Sequence, residues 1–182
     1  EEFMADDIGL WKSVQPQIHR DELMRCFQGA KLMPGARELV QALQSRGILV
    51  AIVSAGVDLL IGSIAQMLNV DDWVSNGFRY DDDGFLLDDG EVRVPAHHKD
   101  DMISKMARIH NLDPSEIVSV GDNHTDLSMR IPGSGFIGFN GQKQIAIDGF
   151  AAAGVPHVQE KDCRLLWPHI FEGESFPAIG GE

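Results

Sequence analysis

The chain has 182 residues, enough for one well-formed core with a small appendage. Its 28 acidic and 15 basic residues give a formal charge of −13, which repels nucleic acid and anionic membrane surfaces, so neither is an expected partner. Hydrophobic residues make up 43%, an ordinary globular share, and no apolar run reaches the length that crosses a bilayer.

Over residues 1–30 a helical pattern runs through Met4, Ile8 and Trp11, then Leu23, Met24 and Phe27, with Pro16 as a break between them. From Met33 the texture changes. Pro34 suits a helix start, and Ala36, Leu39, Val40 and Leu43 fall at i, i+3, i+4 and i+7 before Gly47 closes the helix. Ile48 to Val53 is an apolar run suited to a strand buried on both faces, and Leu59 to Leu68 is a second helix. Val74 to Tyr80 and Phe85 to Leu87 flank Asp81-Asp82-Asp83-Gly84, a hairpin turn. A further turn at Asp88-Asp89-Gly90 leads into Glu91 to Val94.

Met102, Ile103, Met106 and Ile109 predict another helix, Ile117 to Val120 a buried strand and Gly135 to Phe139 a further one. Asp162 to Phe171 reads as a last helix partly broken by Pro168, and the Gly- and Pro-containing tail as loose. Alternating strands and helices imply an α/β doubly wound, Rossmann-like parallel sheet. Ligands of such sheets bind beyond the carboxyl ends of the strands.

Candidate chemistry sits at those ends. Ile48–Val53 runs into Ser54-Ala55-Gly56, whose backbone N–H groups and hydroxyl suit phosphate oxygens; a serine there also serves as a helix N-cap. Ile117–Val120 runs into Gly121-Asp122-Asn123-His124-Thr125-Asp126. Asp122 offers the hard oxygen that Mg²⁺ prefers, and Asp126 can help hold the metal's shell. Two bare carboxylates about 4 Å apart repel by roughly 4 kcal/mol at an effective dielectric of 20, a penalty that a divalent ion reverses. Lys99 heads a helix, where a cation opposes the dipole unless Asp100 and Asp101 or an anionic ligand answer it.

His97, His98 and His124 read as solvated or supporting histidines rather than a transition-metal site. Arg20 and Arg25 could contact a substrate anion, although solvated charges on an amphipathic helix are the plainer reading. Cys26 and Cys163 lack metal-ligand spacing; two reduced thiols in a cytoplasmic protein is the simplest account, a disulfide the alternative.

Strand-Ser54-Ala55-Gly56, then Lys99 heading a helix, then strand-Gly121-Asp122-x-x-x-Asp126 resembles motifs two, three and four of the haloacid dehalogenase superfamily of hydrolases. Leu32-Met33-Pro34-Gly35-Ala36, the length of Lys99 to Leu112, Asp126-Leu127-Ser128-Met129 and Gly138-Phe139-Asn140 are similar to the phosphoserine phosphatase-like branch. The resemblance spans roughly Met33 to Phe171.

It implies a core over 31–172 with a β-hairpin insertion at about 74–94, the remnant of a small helical cap over 1–30, and a tail at 173–182. For function it implies a Mg²⁺-dependent phosphomonoester hydrolase acting on a small phosphorylated metabolite through an aspartyl-phosphate. Ser54, Ala55, Gly56 and Lys99 would hold phosphate, with Ser54 and Lys99 assisting catalysis, and Asp122 and Asp126 would serve the metal.

Two departures stand out. The branch usually places Asn immediately before the second motif-four Asp, where this chain has Thr125. The nucleophile motif, Asp-x-Asp-x-Thr or Ser after an apolar strand, is not found; Asp81-Asp82-Asp83-Gly84-Phe85 comes nearest and reads as a hairpin tip. Its strand is central in the family's sheet, so the expectation is that a segment upstream of Glu1 carries it, position 1 being Glu rather than an initiator Met. The rival readings are a non-catalytic phosphate- or metal-binding relative and a cytosolic 5'-nucleotidase-like member.

Overall fold

A computed structural model describes residues 2–178. In chain order its elements are α1 (Glu2–Val14), α2 (Arg20–Phe27), α3 (Ala36–Ser45), β1 (Ala51–Val57), α4 (Asp58–Leu68), β2 (Asp72–Tyr80) and β3 (Leu86–Glu91). Then follow α5 (Asp100–His110), β4 (Val118–Gly121), β5 (Gly135–Phe139), α6 (Gln144–Ala152), β6 (His157–Val158) and α7 (Trp167–Ile170). They form two compact units, Glu1–Lys31 with Ala51–Pro95, and Leu32–Val50 with Ala96–Glu182.

In the first unit β1 pairs parallel with β2, and β2 antiparallel with β3. The core gathers Ile8, Ile18, Leu23, Phe78 and Leu86, with Trp11 edge-on to Phe78 at 5.7 Å. Ile8 and Leu23 are apolar positions of the two N-terminal helices, Ile18 lies between those helices, and Phe78 and Leu86 come from β2 and β3. At the hairpin tip Asp81 Oδ1 accepts N–H bonds from Asp83 (3.1 Å) and Phe85 (2.8 Å), so its carboxylate closes the turn. His19 caps α2 and lies edge-on to Phe85 at 5.3 Å, which fixes the helix to that tip.

The turn expected at Asp88-Asp89-Gly90 is not there, because those residues belong to β3. Phe78 pairs with Gly90, and the acids are answered by Arg79 on Asp89 (3.2 Å) and Lys12 on Asp88 (2.5 Å), which lets an acidic stretch remain extended. β1 also lies further along than expected, at Ala51–Val57 rather than Ile48–Val53. Ile48 and Val50 are apolar because they pack against the Leu39–Leu43 side of the second unit's core, while the ladder begins at Ala51.

In the second unit β4, β5 and β6 form a parallel sheet in that order. Leu39, Leu43, Ile137, Val158, Cys163, Leu166 and Trp167 form its core. Helix α3 starts after Gly35, whose φ of 74° suits glycine and whose missing Cβ leaves room for the Asp162 carboxylate. The last expected helix is a 3₁₀ turn at Cys163–Leu166 running into α7, with Pro168 in the first turn, where its missing N–H costs nothing.

The tail expected to be loose is tied down over 173–178. Phe176 meets Trp167 edge-on at 5.4 Å, and Glu174 pairs with Arg46 at 2.8 Å. Residues 179–182 of that tail lie outside the described residues, as does Glu1 of the N-terminal segment.

Both cysteines are free, Cys26 exposed and Cys163 buried, and burial pushes the Cys163 thiol up to about 11. A thiolate is the reactive form. Ellman's reagent at pH 8 should therefore titrate about one thiol in the native protein and a second only in denaturant. Rapid native labelling of both would contradict the burial of Cys163.

Candidate active site

The second unit brings three of the sequence candidates together. Lys99 is the residue before the first turn of α5, and its Nζ lies 2.6 Å from Asp126 Oδ1. Both are buried, at 8% and 6% exposed, and that burial marks the pair as more than a surface contact. The other oxygen of the same carboxylate, Oδ2, accepts the backbone N–H groups of Asp122 and Asn123, each at 3.0 Å. Asp126 is thus a clamp. One oxygen fixes the ammonium, the other fixes the loop that leaves β4.

Local sequence explains the geometry. Asn123 caps the 3₁₀ turn His124–Met129, and Asp126 completes the reciprocal capping box. Gly121 ends β4 beneath the turn, and a Cβ there would overlap the Asp126 carboxylate. The Lys99 N–H donates to Ser128 Oγ at 3.3 Å, tying the start of α5 to the same turn.

Asp122 projects from this loop and is exposed, with its carboxyl partly desolvated by the loop around it. Burial first, and then the charge of Asp126, hold its carboxyl above the usual carboxylate range, with Lys99 partly offsetting them. A carboxylate whose ionisation is disfavoured in this way gains from a cation. Among the described residues no group of three or more His, Cys, Asp or Glu side chains is placed to hold a metal ion. Mg²⁺ takes only one or two protein carboxylates and keeps water, so Asp122 fits as one such ligand. The oxygens of Asp126 are already engaged. They orient the loop that carries Asp122.

His97 and His124 lie ring to ring at 6.4 Å, and His124 Nδ1 is 2.7 Å from Asn123 Oδ1. His98 is exposed.

Ser54, Ala55 and Gly56 belong to the first unit and lie within β1, not beyond it. The β1–β2 ladder pairs Ser54 with Ser75 and next Val57 with Asn76, so Ala55 and Gly56 form a bulge. The Gly56 N–H donates to Ser54 Oγ at 3.1 Å, which leaves the serine O–H free to donate elsewhere. Asn76, absent from the sequence candidates, holds the bulge through Nδ2 on the Ala55 carbonyl at 2.8 Å. In the same unit Arg25 lies in the last turn of α2, and Arg20 is the first residue of that helix.

A family model described as haloacid dehalogenase-like hydrolase matches residues 8–130. The chain belongs to that family. Phosphoserine phosphatase of Methanocaldococcus jannaschii is 33% identical over 96 residues, 52% of this chain and 45% of the relative. That of Idiomarina loihiensis is 32% identical over 126 residues, 68% and 56% respectively. The chain therefore spans about half the length of these curated relatives. A solved phosphoserine phosphatase, described as a phospho-aspartyl intermediate analogue, superposes with a TM-score of 0.73 at 25% identity, over 85% of this chain and 71% of the other. The α/β haloacid dehalogenase-like fold read from the sequence is thus established. No helix among the described residues is long and apolar enough to cross a membrane.

Proposed function

We propose that the protein is a Mg²⁺-dependent phosphatase of this family that hydrolyses the phosphomonoester of a small metabolite, with neither nucleic acid nor membrane as partner, in the cytoplasm. The observation that carries the reading is the Lys99–Asp126 pair, because a buried ammonium fixed over a metal-binding loop suits a dianionic phosphoryl group and no packing role. Ser54 donates its O–H to a phosphate oxygen, and the bulge at Ala55 and Gly56 lets the backbone approach closely. Lys99 places its charge on the transferring group. Asp122 holds the metal and Asp126 keeps Lys99 and the loop in place. Mg²⁺, when bound, supplies positive charge that offsets what develops on the phosphoryl oxygens.

The nucleophile is an aspartate on a strand outside residues 1–182, which forms an aspartyl-phosphate that water hydrolyses. The carboxylate of Asp81 is committed to its turn and does not offer an alternative. Thr125, where the phosphoserine phosphatase-like pattern has Asn, argues against phosphoserine itself as the substrate.

Asp122→Asn tests the metal role with a readout other than turnover. Folding raises the pKa of Asp122, so the ionised form at neutral pH counts against stability, and removing the charge should help. Without divalent ions the variant should melt above the parent. Mg²⁺ should raise the melting temperature of the parent and leave that of the variant unmoved. An equal Mg²⁺-induced shift in both proteins would remove Asp122 from the metal site.

A further inference from the structure

Asn76 is 5% exposed in the middle of β2, and all four hydrogen-bonding positions of its amide are used. Its Oδ1 accepts the N–H groups of Arg93 (2.9 Å) and Val94 (2.8 Å), so the orientation of the amide is fixed by two donors. Its Nδ2 donates to the Val94 carbonyl at 3.3 Å and to the Ala55 carbonyl at 2.8 Å. Three of these bonds secure the chain just after β3. The fourth crosses to the β1 bulge, where the register jumps from Ser54 to Val57 and Ala55 has no partner residue on β2.

A buried amide with one partner missing is destabilising. A purely structural residue needs only the Arg93–Val94 side. The bond to Ala55 does something else, since it holds the bulge next to the Ser54 hydroxyl.

We infer that Asn76 is a positioning residue for the phosphate-binding bulge: its amide sets the height of Ala55, and through it the aim of Ser54 at the phosphoryl group. The inference rests on the phosphatase reading given above. Asn76→Asp separates the two jobs of the side chain. A carboxylate still accepts the Arg93 and Val94 N–H groups, the two shorter bonds on that side, whereas it gives no donor to the Ala55 carbonyl or to the longer contact with the Val94 carbonyl. Asn76→Ala removes both.

The test is a double-mutant cycle with Ser54→Ala in the full-length protein, following hydrolysis of p-nitrophenyl phosphate and the thermal melt. Asn76→Asp should keep a cooperative melt and lower kcat on the order of 10²-fold, the scale of a 1 Å misplacement, with a smaller change in KM. In the Ser54→Ala background the same substitution should cost less than about threefold, since the group it positions is gone. Simple repulsion of phosphate by the new carboxylate would act equally in both backgrounds. A full multiplicative loss in the Ser54→Ala background therefore overturns the inference while leaving the phosphatase reading intact. An unchanged turnover for Ser54→Ala alone would overturn the phosphate role of the bulge and the inference with it. Loss of the cooperative melt in both Asn76 variants would make the residue structural and also refute it.

Discussion

Lys99→Met in the full-length protein should lower phosphatase turnover by about 10²–10³, the usual loss when one preorganised donor is taken from a developing anion. It should also lower the melting temperature. Its ammonium is buried against the Asp126 carboxylate, and removing one partner of a buried pair strands the other charge, typically at about 3–5 kcal/mol. A fall in activity alone would thus be ambiguous. The double variant Lys99→Met with Asp126→Asn resolves it. An amide at 126 can still accept the Asp122 and Asn123 N–H groups through its oxygen, and no buried charge is left unpaired. The double variant should regain much of the lost thermal stability and none of the turnover. Recovery of turnover together with stability would show Lys99 to be a structural cation with no part in the reaction.

The strand ends were where the sequence showed most. Gly135–Phe139 is a strand over the residues expected of it, and Lys99 stands at the head of its helix. The i, i+4 spacing of Asp122 and Asp126 lies along one loop and is legible at once. That Asp126 answers Lys99 is not, because those residues are 27 apart and meet only through folding. Asn76 stayed hidden for the same reason, its amide partners lying 17 to 21 residues away on either side.

Helix α6 and strand β6 were not anticipated. Ala146 and Phe150 do fall at i and i+4, but Gly149 and the small residues around them weaken the helical pattern, and β6 is only two residues long. The misread turn at Asp88-Asp89-Gly90 shows the opposite failure, where strong turn chemistry is overridden by the cross-strand pair of Arg79 with Asp89 and by Lys12 of α1 on Asp88.

The other large effect concerns the sheet edges. Among the described residues β1 pairs only with β2, and β4 only with β5, so each ends its sheet. β4 exposes Val118 and Val120 at 43% and 37%, with buried Ser119 between them. Apolar side chains on a parallel strand are ordinarily covered on both faces, and an uncovered apolar edge invites pairing with another chain. The proposed nucleophile adds a strand to this unit. In our reading that strand carries the nucleophilic aspartate at its carboxyl end.

Residues 1–182 made alone should then hydrolyse no phosphomonoester measurably with Mg²⁺, since removing a nucleophile costs on the order of 10⁶ in rate. They should also aggregate on heating rather than melt cooperatively. A polypeptide extended upstream should recover both activity and a cooperative melt, and changing the first Asp of its Asp-x-Asp to Asn should abolish the activity while keeping the melt. Vigorous hydrolysis by residues 1–182 alone would show instead that the nucleophile lies within them and that the open edges of β1 and β4 have another explanation.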